Sequence, residues 1–245
     1  MGYHYSIIDD EDDTVIGYCN EIEVIKQQDD AVCSVLAILG FQLSDESKKV
    51  VKLPLSNFRI HYLNNEGVSL GGYYFTANRS INLMSLELLD TNSFEISGQF
   101  TEEPMPFAHD IWLKRRENPK VCGQWVRCSL EEKRAWLQVV RLSGHSPQSD
   151  RTDQLITIDG SLILDLESFY VCLGEAINGP FGYFGDSLDS LSDCLCGGFG
   201  LVPPFTLVWR NYHNSFCNGA ANHDGYLTLL LEILTSRGCE VQLIA

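Results

Sequence analysis

The stretch Gly144-His145-Ser146-Pro147-Gln148-Ser149-Asp150-Arg151-Thr152-Asp153 constrains the fold of this 245-residue chain more than any other. It is polar and rich in turn formers, so a hydrophobic core is not expected to continue through it. The hydropathy pattern also changes across it. Upstream, short apolar and aromatic runs recur with turn residues between them. Downstream, strand-like and helix-like segments alternate. The reading is of two domains: residues 1–143 mainly β, residues 144–153 a linker, and residues 154–245 an α/β domain.

In the first domain, strand patterns fall on Thr14 to Tyr18, Glu21 to Lys26, Phe58 to Tyr62, Gly72 to Thr76, Ile81 to Leu89, Phe94 to Phe100 and Gln124 to Cys128. Asn64-Asn65-Glu66-Gly67, Ala77-Asn78-Arg79-Ser80 and Asp90-Thr91-Asn92 read as turns between them. Ala31 to Gly40 is apolar throughout and fits either a buried strand or a short helix. Ser129-Leu130-Glu131-Glu132 carries the Ser-x-x-Glu capping signature and predicts a helix to about Val140. A sandwich or barrel with helical insertions is the expected architecture.

Past the linker, Leu155-Ile156-Thr157-Ile158 reads as a short strand closed by Asp159-Gly160. Leu166, Phe169, Tyr170 and Leu173 then recur at helical spacing until Asn178-Gly179-Pro180. A second helix stops at Gly197-Gly198. Phe205 to Trp209 is a second strand, and Leu227, Leu230, Leu231 and Leu234 mark a third helix. Val241, Leu243 and Ile244 form the last strand. The order β-α-α-β-α-β implies a three-stranded parallel sheet packed by helices.

Net charge is −16, with 33 acidic and 17 basic residues. From Arg151 onward there are 11 acidic residues, three arginines and no lysine. Such a surface repels nucleic acid and attracts basic proteins. No apolar run reaches membrane-span length, and the first residues lack a signal-peptide pattern, so a cytoplasmic protein with no membrane contact is expected. The nine cysteines have no disulfide-scaffold spacing. Cys172, Cys194 and Cys239 sit at apolar positions of the elements above. A metal set drawn from Cys194, Cys196, His213, Cys217 and His223 lacks paired CxxC spacing. The acidic run Asp9-Asp10-Glu11-Asp12-Asp13 lacks the Gly and distal Glu of a calcium loop and reads as a solvated turn. Lys114-Arg115-Arg116 likewise reads as a solvated face. No catalytic triad and no cofactor can be nominated.

The second helix carries the chemistry. Wound at about 100° per residue, Asp186, Asp189 and Asp193 share one face, while Leu188, Leu191 and Leu195 share the opposite one with Phe184 in line. No Lys or Arg stands among the carboxylates, and like charges at this spacing repel by a few tenths of a kcal/mol per pair.

From Leu155 to Ala245 the chain resembles the barstar family of ribonuclease inhibitors. The resemblance rests on Ile156-Thr157-Ile158-Asp159-Gly160, on Tyr183-Phe184-Gly185-Asp186-Ser187-Leu188-Asp189-Ser190-Leu191-Ser192-Asp193-Cys194-Leu195, on Trp209-Arg210 and on Arg237-Gly238-Cys239. It implies a barstar-like fold and inhibition by substrate mimicry, with Asp189 and Asp193 standing where RNA phosphates would. Tyr183 is then the aromatic at the front of the helix and faces the partner, with Phe184 in the core. The family's tryptophan position is Ser192 here, its loop aromatic is Phe199, and its third-helix acid falls on Ile233, with Glu232 beside it. These departures imply a cognate enzyme other than barnase.

The sequence reading is therefore a non-enzymatic immunity or antitoxin protein that binds a basic toxin nuclease 1:1 through Tyr183, Asp186, Asp189, Ser192, Asp193 and Phe199. The alternative is a metal-dependent hydrolase, with Asp186, Asp189 and Asp193 as ligands, or an enzyme in residues 1–143 regulated by the second domain.

Overall fold

Strands with alternating buried and exposed residues dominate the first half of the chain. The computed structural model describes residues 2–26, 33–49, 54–83, 92–143, 149–216 and 223–245. They fall into two units, one of residues 1–104, 112–118 and 142–144, the other of residues 105–111, 119–141 and 145–245.

The first unit contains β1 (Tyr5–Asp9), β2 (Val15–Cys19), β3 (Glu21–Lys26), β4 (Ser34–Leu39), β5 (Gln42–Leu43), β6 (Pro54–Leu63), β7 (Ser69–Asn82) and β8 (Phe94–Phe100). They form one antiparallel sheet in the order β3-β4-β8-β7-β6-β1-β2-β5. Every second residue of several strands enters one core, including Tyr5 and Ile7, Leu36 and Ile38, and Phe58 and Ile60. The unit is mainly β as expected, but β3 and β5 at the two ends do not pair, so the sheet is open and no barrel closes.

Three local expectations are corrected. Ala77-Asn78-Arg79-Ser80 is not a turn: pairing steps from Asn57↔Thr76 to Leu55↔Ile81, so β7 bulges there and continues as strand. Polar residues suit a bulge for the same reason they suit a turn, since their backbone leaves the ladder. Gln124 to Cys128 forms turns, not a strand, and Trp125 is buried within them. Arg115 is half-buried in α1 (Ala108–Arg116), where burial pulls its pKa down to about 10.

Ile81 to Leu89 is strand only as far as Asn82, and residues 84–91 lie outside the described part, as do Ala31 and Val32. The acidic run makes the β1–β2 turn, where Arg59 pairs with Asp10 and Asp13.

In the second unit, α2 (Leu130–Leu142) is capped as the sequence predicts. Ser129 Oγ accepts the Glu132 N–H, and Glu132 accepts the Ser129 N–H. There follow β9 (Leu155–Asp159), α3 (Leu166–Asn178), α4 (Leu188–Cys194), β10 (Thr206–Arg210), α5 (His223–Ser236) and β11 (Glu240–Leu243). The sheet is parallel in the order β11-β10-β9, with Ile156, Ile158, Leu207 and Trp209 buried. Of the expected linker, residues 144–148 are outside the described part. Arg151 bridges to Leu201, and the Asp153 N–H donates to the Pro204 carbonyl. No helix among the described residues is long and apolar enough to cross a membrane.

Candidate functional site

The acidic helix owes its position to the loop before it. Gly185 has φ +94°, and a Cβ there would lie 2.8 Å from the Leu191 nitrogen. Only glycine accepts both the left-handed backbone and that approach. The chain then turns into α4, burying Phe184, Leu191 and Leu195 as the leucine spacing predicts, with Cys194 beside them, while Leu188 in the first turn is only half-buried.

Ser187 is the N-cap. Its Oγ accepts the Ser190 N–H at 3.2 Å, and Ser190 Oγ accepts the N–H groups of Asp186 and Ser187, both at 2.8 Å. Caps of this kind contribute about 1 kcal/mol. The helix therefore starts two residues after Asp186, and the expectation of three carboxylates on one helical face is corrected. The positive φ of Gly185 and the Ser187 cap hold Asp186 in the preceding turn.

The three carboxylates differ in their surroundings. Asp186 is half-buried; its Oδ2 lies 2.9 Å from Arg141 Nε, and its Oδ1 accepts the Ser190 hydroxyl at 2.8 Å. Asp189 and Asp193 are exposed, four residues apart, and have no ion-pair or hydrogen-bond partner among the described residues. Asp193 also sits in the last turn, where the helix dipole disfavours a negative charge. Ser192 is half-buried, and Arg237 donates to its Oγ at 2.6 Å.

The aromatics lie beneath this surface. Phe184 is fully buried and Tyr183 is 5% exposed, so the expected division between core and partner-facing ring is not what the free chain shows. Burial, followed by the neighbouring Asp186 charge, pushes the Tyr183 hydroxyl pKa well up. The half-buried Phe199 ring is 6.0 Å from that of Tyr183. Its loop is pinned from two sides. Asp150 accepts the Gly198 and Gly200 N–H groups at 2.8 Å, and Asn178 Nδ2 donates to the carbonyls of Tyr183 and Phe199.

The structure thus places Asp189, Ser192 and Asp193 on one short helix, Asp186 just ahead of it, and Tyr183 packed with Phe199. Sequence reasoning missed Arg141, Arg237, Asp150 and Asn178, because none is adjacent in sequence to what it holds. Glu232 is exposed on α5 and Ile233 half-buried. Burial pushes the thiols of Cys19, Cys194 and Cys239 in the core, and of the half-buried Cys172, up to about 12, as fits inert residues. Cys217 lies outside the described residues, as do the surroundings of the His223 side chain. No group of three or more His, Cys, Asp or Glu among the described residues is placed to hold a metal ion.

Residues 154–242 match the family model described as Barstar (barnase inhibitor), and the remainder of the chain has no family match. No curated protein matches the chain. The C-terminal part of the second unit, the three-stranded parallel sheet and the helices within residues 154–242, is barstar-like.

Proposed function

We propose that this chain is an immunity or antitoxin protein that binds a bacterial toxin nuclease, a ribonuclease, 1:1 and blocks it without catalysis. One observation supports this most: within the family match, Asp189 and Asp193 are exposed and unpartnered among the described residues, while Asp186 beside them is held by Arg141. Carboxylates four apart on a helix are about 5–6 Å apart at Cβ. That spacing suits two Arg or Lys side chains that would otherwise hold successive phosphates, and Arg pairs bidentately with carboxylate. The densely acidic second domain would raise the association rate with a basic enzyme.

Tyr183 and Phe199 support the surface from below, and Asp186 and Ser192 form its rim. The protein would act in the cytoplasm, where RNA is the nuclease's target, and would itself bind neither RNA nor membrane.

The test takes the C-terminal domain of the protein encoded immediately upstream, where this reading expects a small basic nuclease, and measures its inhibition on a fluorogenic RNA. Titration to full inhibition at one equivalent is expected. Uninhibited cleavage with excess protein, or inhibition unchanged in both Asp189→Ala and Asp193→Ala, would remove the reading.

A further inference from the structure

The family match begins at residue 154, yet the acidic helix is held from outside it. Along α2 and the turns before it, where Gly123 N–H and the Trp125 indole N–H donate to Glu175 of α3, a series of contacts follows the matched domain from the start of α3 to the start of α4. Lys133, itself only 3% exposed, pairs at 2.9 Å with Asp165, the N-cap of α3. Arg134 pairs with Glu167 at 2.8 Å. Trp136 stacks at 4.3 Å on Phe181, in the loop leading to the acidic helix. Arg141 ends the series on Asp186.

Three basic residues of α2 thus meet three carboxylates of a segment that has only three arginines of its own from residue 151 on. Asp186 in turn accepts from Ser190, whose Oγ accepts the Asp186 and Ser187 N–H groups within the cap of α4. A connected path of hydrogen bonds therefore runs from the Arg141 guanidinium to the first turn of the helix bearing Asp189 and Asp193.

We propose that residues 119–141 brace the inhibitory surface and that Arg141 is its positioning residue, fixing the start of α4 through Asp186. This rests on the reading of α4 as the nuclease-binding helix, but the device itself is visible in the free protein. It makes the working inhibitory unit larger than the matched family domain. It also explains why Asp186, although on the acidic segment, stands at the rim of the surface and not at its centre with Asp189 and Asp193.

Hydrogen exchange on the full-length free chain tests the brace without any nuclease. In Arg141→Ala, amides of residues 187–195 should exchange about five- to tenfold faster, the scale of one charge-assisted, half-exposed contact. Peptides from β1 to β8 should be unchanged, and Arg141→Lys should restore most of the protection. Asp186→Asn should reproduce the effect, and adding it to Arg141→Ala should add little. Unchanged exchange across residues 187–195 in Arg141→Ala would overturn the brace.

The neighbouring nuclease separates this from the functional reading. If Arg141→Ala loosens α4 and weakens inhibition, both stand. If it loosens α4 while Asp189→Ala and Asp193→Ala leave inhibition intact, the brace stands and the functional reading fails. If exchange is unchanged while those two variants abolish inhibition, the brace alone fails.

Discussion

The indole N–H of Trp125 donates to Glu175 Oε2 at 2.8 Å, on a carboxylate that is only 5% exposed. The same oxygen accepts the Gly123 N–H at 2.7 Å, and the other accepts the Phe181 N–H at 3.4 Å. Trp125→Phe keeps an aromatic ring, although a smaller one, and removes one of these donors. It should cost about 1–3 kcal/mol, the range for leaving a buried acceptor under-satisfied. Chemical denaturation should show this as a lower midpoint at an unchanged slope.

Glu175 also makes stability depend on pH. Burial raises its pKa, although the Gly123, Trp125 and Phe181 N–H groups pull the other way. A carboxyl with a raised folded-state pKa contributes stability below its unfolded value and loses it as pH rises through the folded value. Asp165 has the opposite sign. Burial works against its charge, but the Ser168 hydroxyl, the Lys133 ammonium and the Ser168 N–H together hold its carboxyl below the usual range. Its contribution is present above the ordinary Asp value and is lost as pH falls through the depressed one. Thermal unfolding followed across the carboxylate range should show both limbs. Glu175→Gln should abolish the decline with rising pH and leave the acid limb in place.

Gly185→Ala should be among the more damaging small substitutions in the second domain. The new Cβ meets backbone atoms of Leu191 at 2.8 and 2.9 Å on a residue with φ +94°. Strain of this kind costs about 1–3 kcal/mol. A fall in Tm of several degrees is expected, and because α4 must shift, so is weaker inhibition of the nuclease. Gly179→Ala makes a suitable control. Its φ of +80° is also strained, but no atom lies within 4 Å of an added Cβ, so α4 should keep its place.

The cysteines should divide by exposure. Cys122 and Cys196 are exposed, whereas Cys19, Cys194 and Cys239 are buried. Labelling the native chain with a thiol reagent near neutral pH should modify Cys122 and Cys196 first. The buried thiols, pushed up to about 12, should react only on unfolding.

What the sequence made legible was local. The Ser129-x-x-Glu132 box announced α2, short apolar and aromatic runs announced β3 and β8, and leucine spacing announced most of the buried face of α4. Each is a relation within one turn or one strand. What it hid was relations between distant residues. Nothing near Asp186 announces Arg141, 45 positions upstream, and nothing in the polar run 144–153 announces that Asp150 will hold the Phe199 loop. Ala77 to Ser80 reads as a turn because bulges and turns select the same residues. Trp125 hides for a related reason: an aromatic-containing run resembles a strand until the acceptor for its indole N–H is known.

The central claim is that Asp189 and Asp193 take the place of RNA phosphates, and a crystal structure of the complex with the neighbouring nuclease tests it most directly. Carboxylate oxygens of both residues are expected within hydrogen-bonding distance, about 2.7–3.2 Å, of Arg, Lys or His side chains in the catalytic cleft. A complex in which the nuclease grips another surface, leaving both carboxylates in solvent, would contradict it.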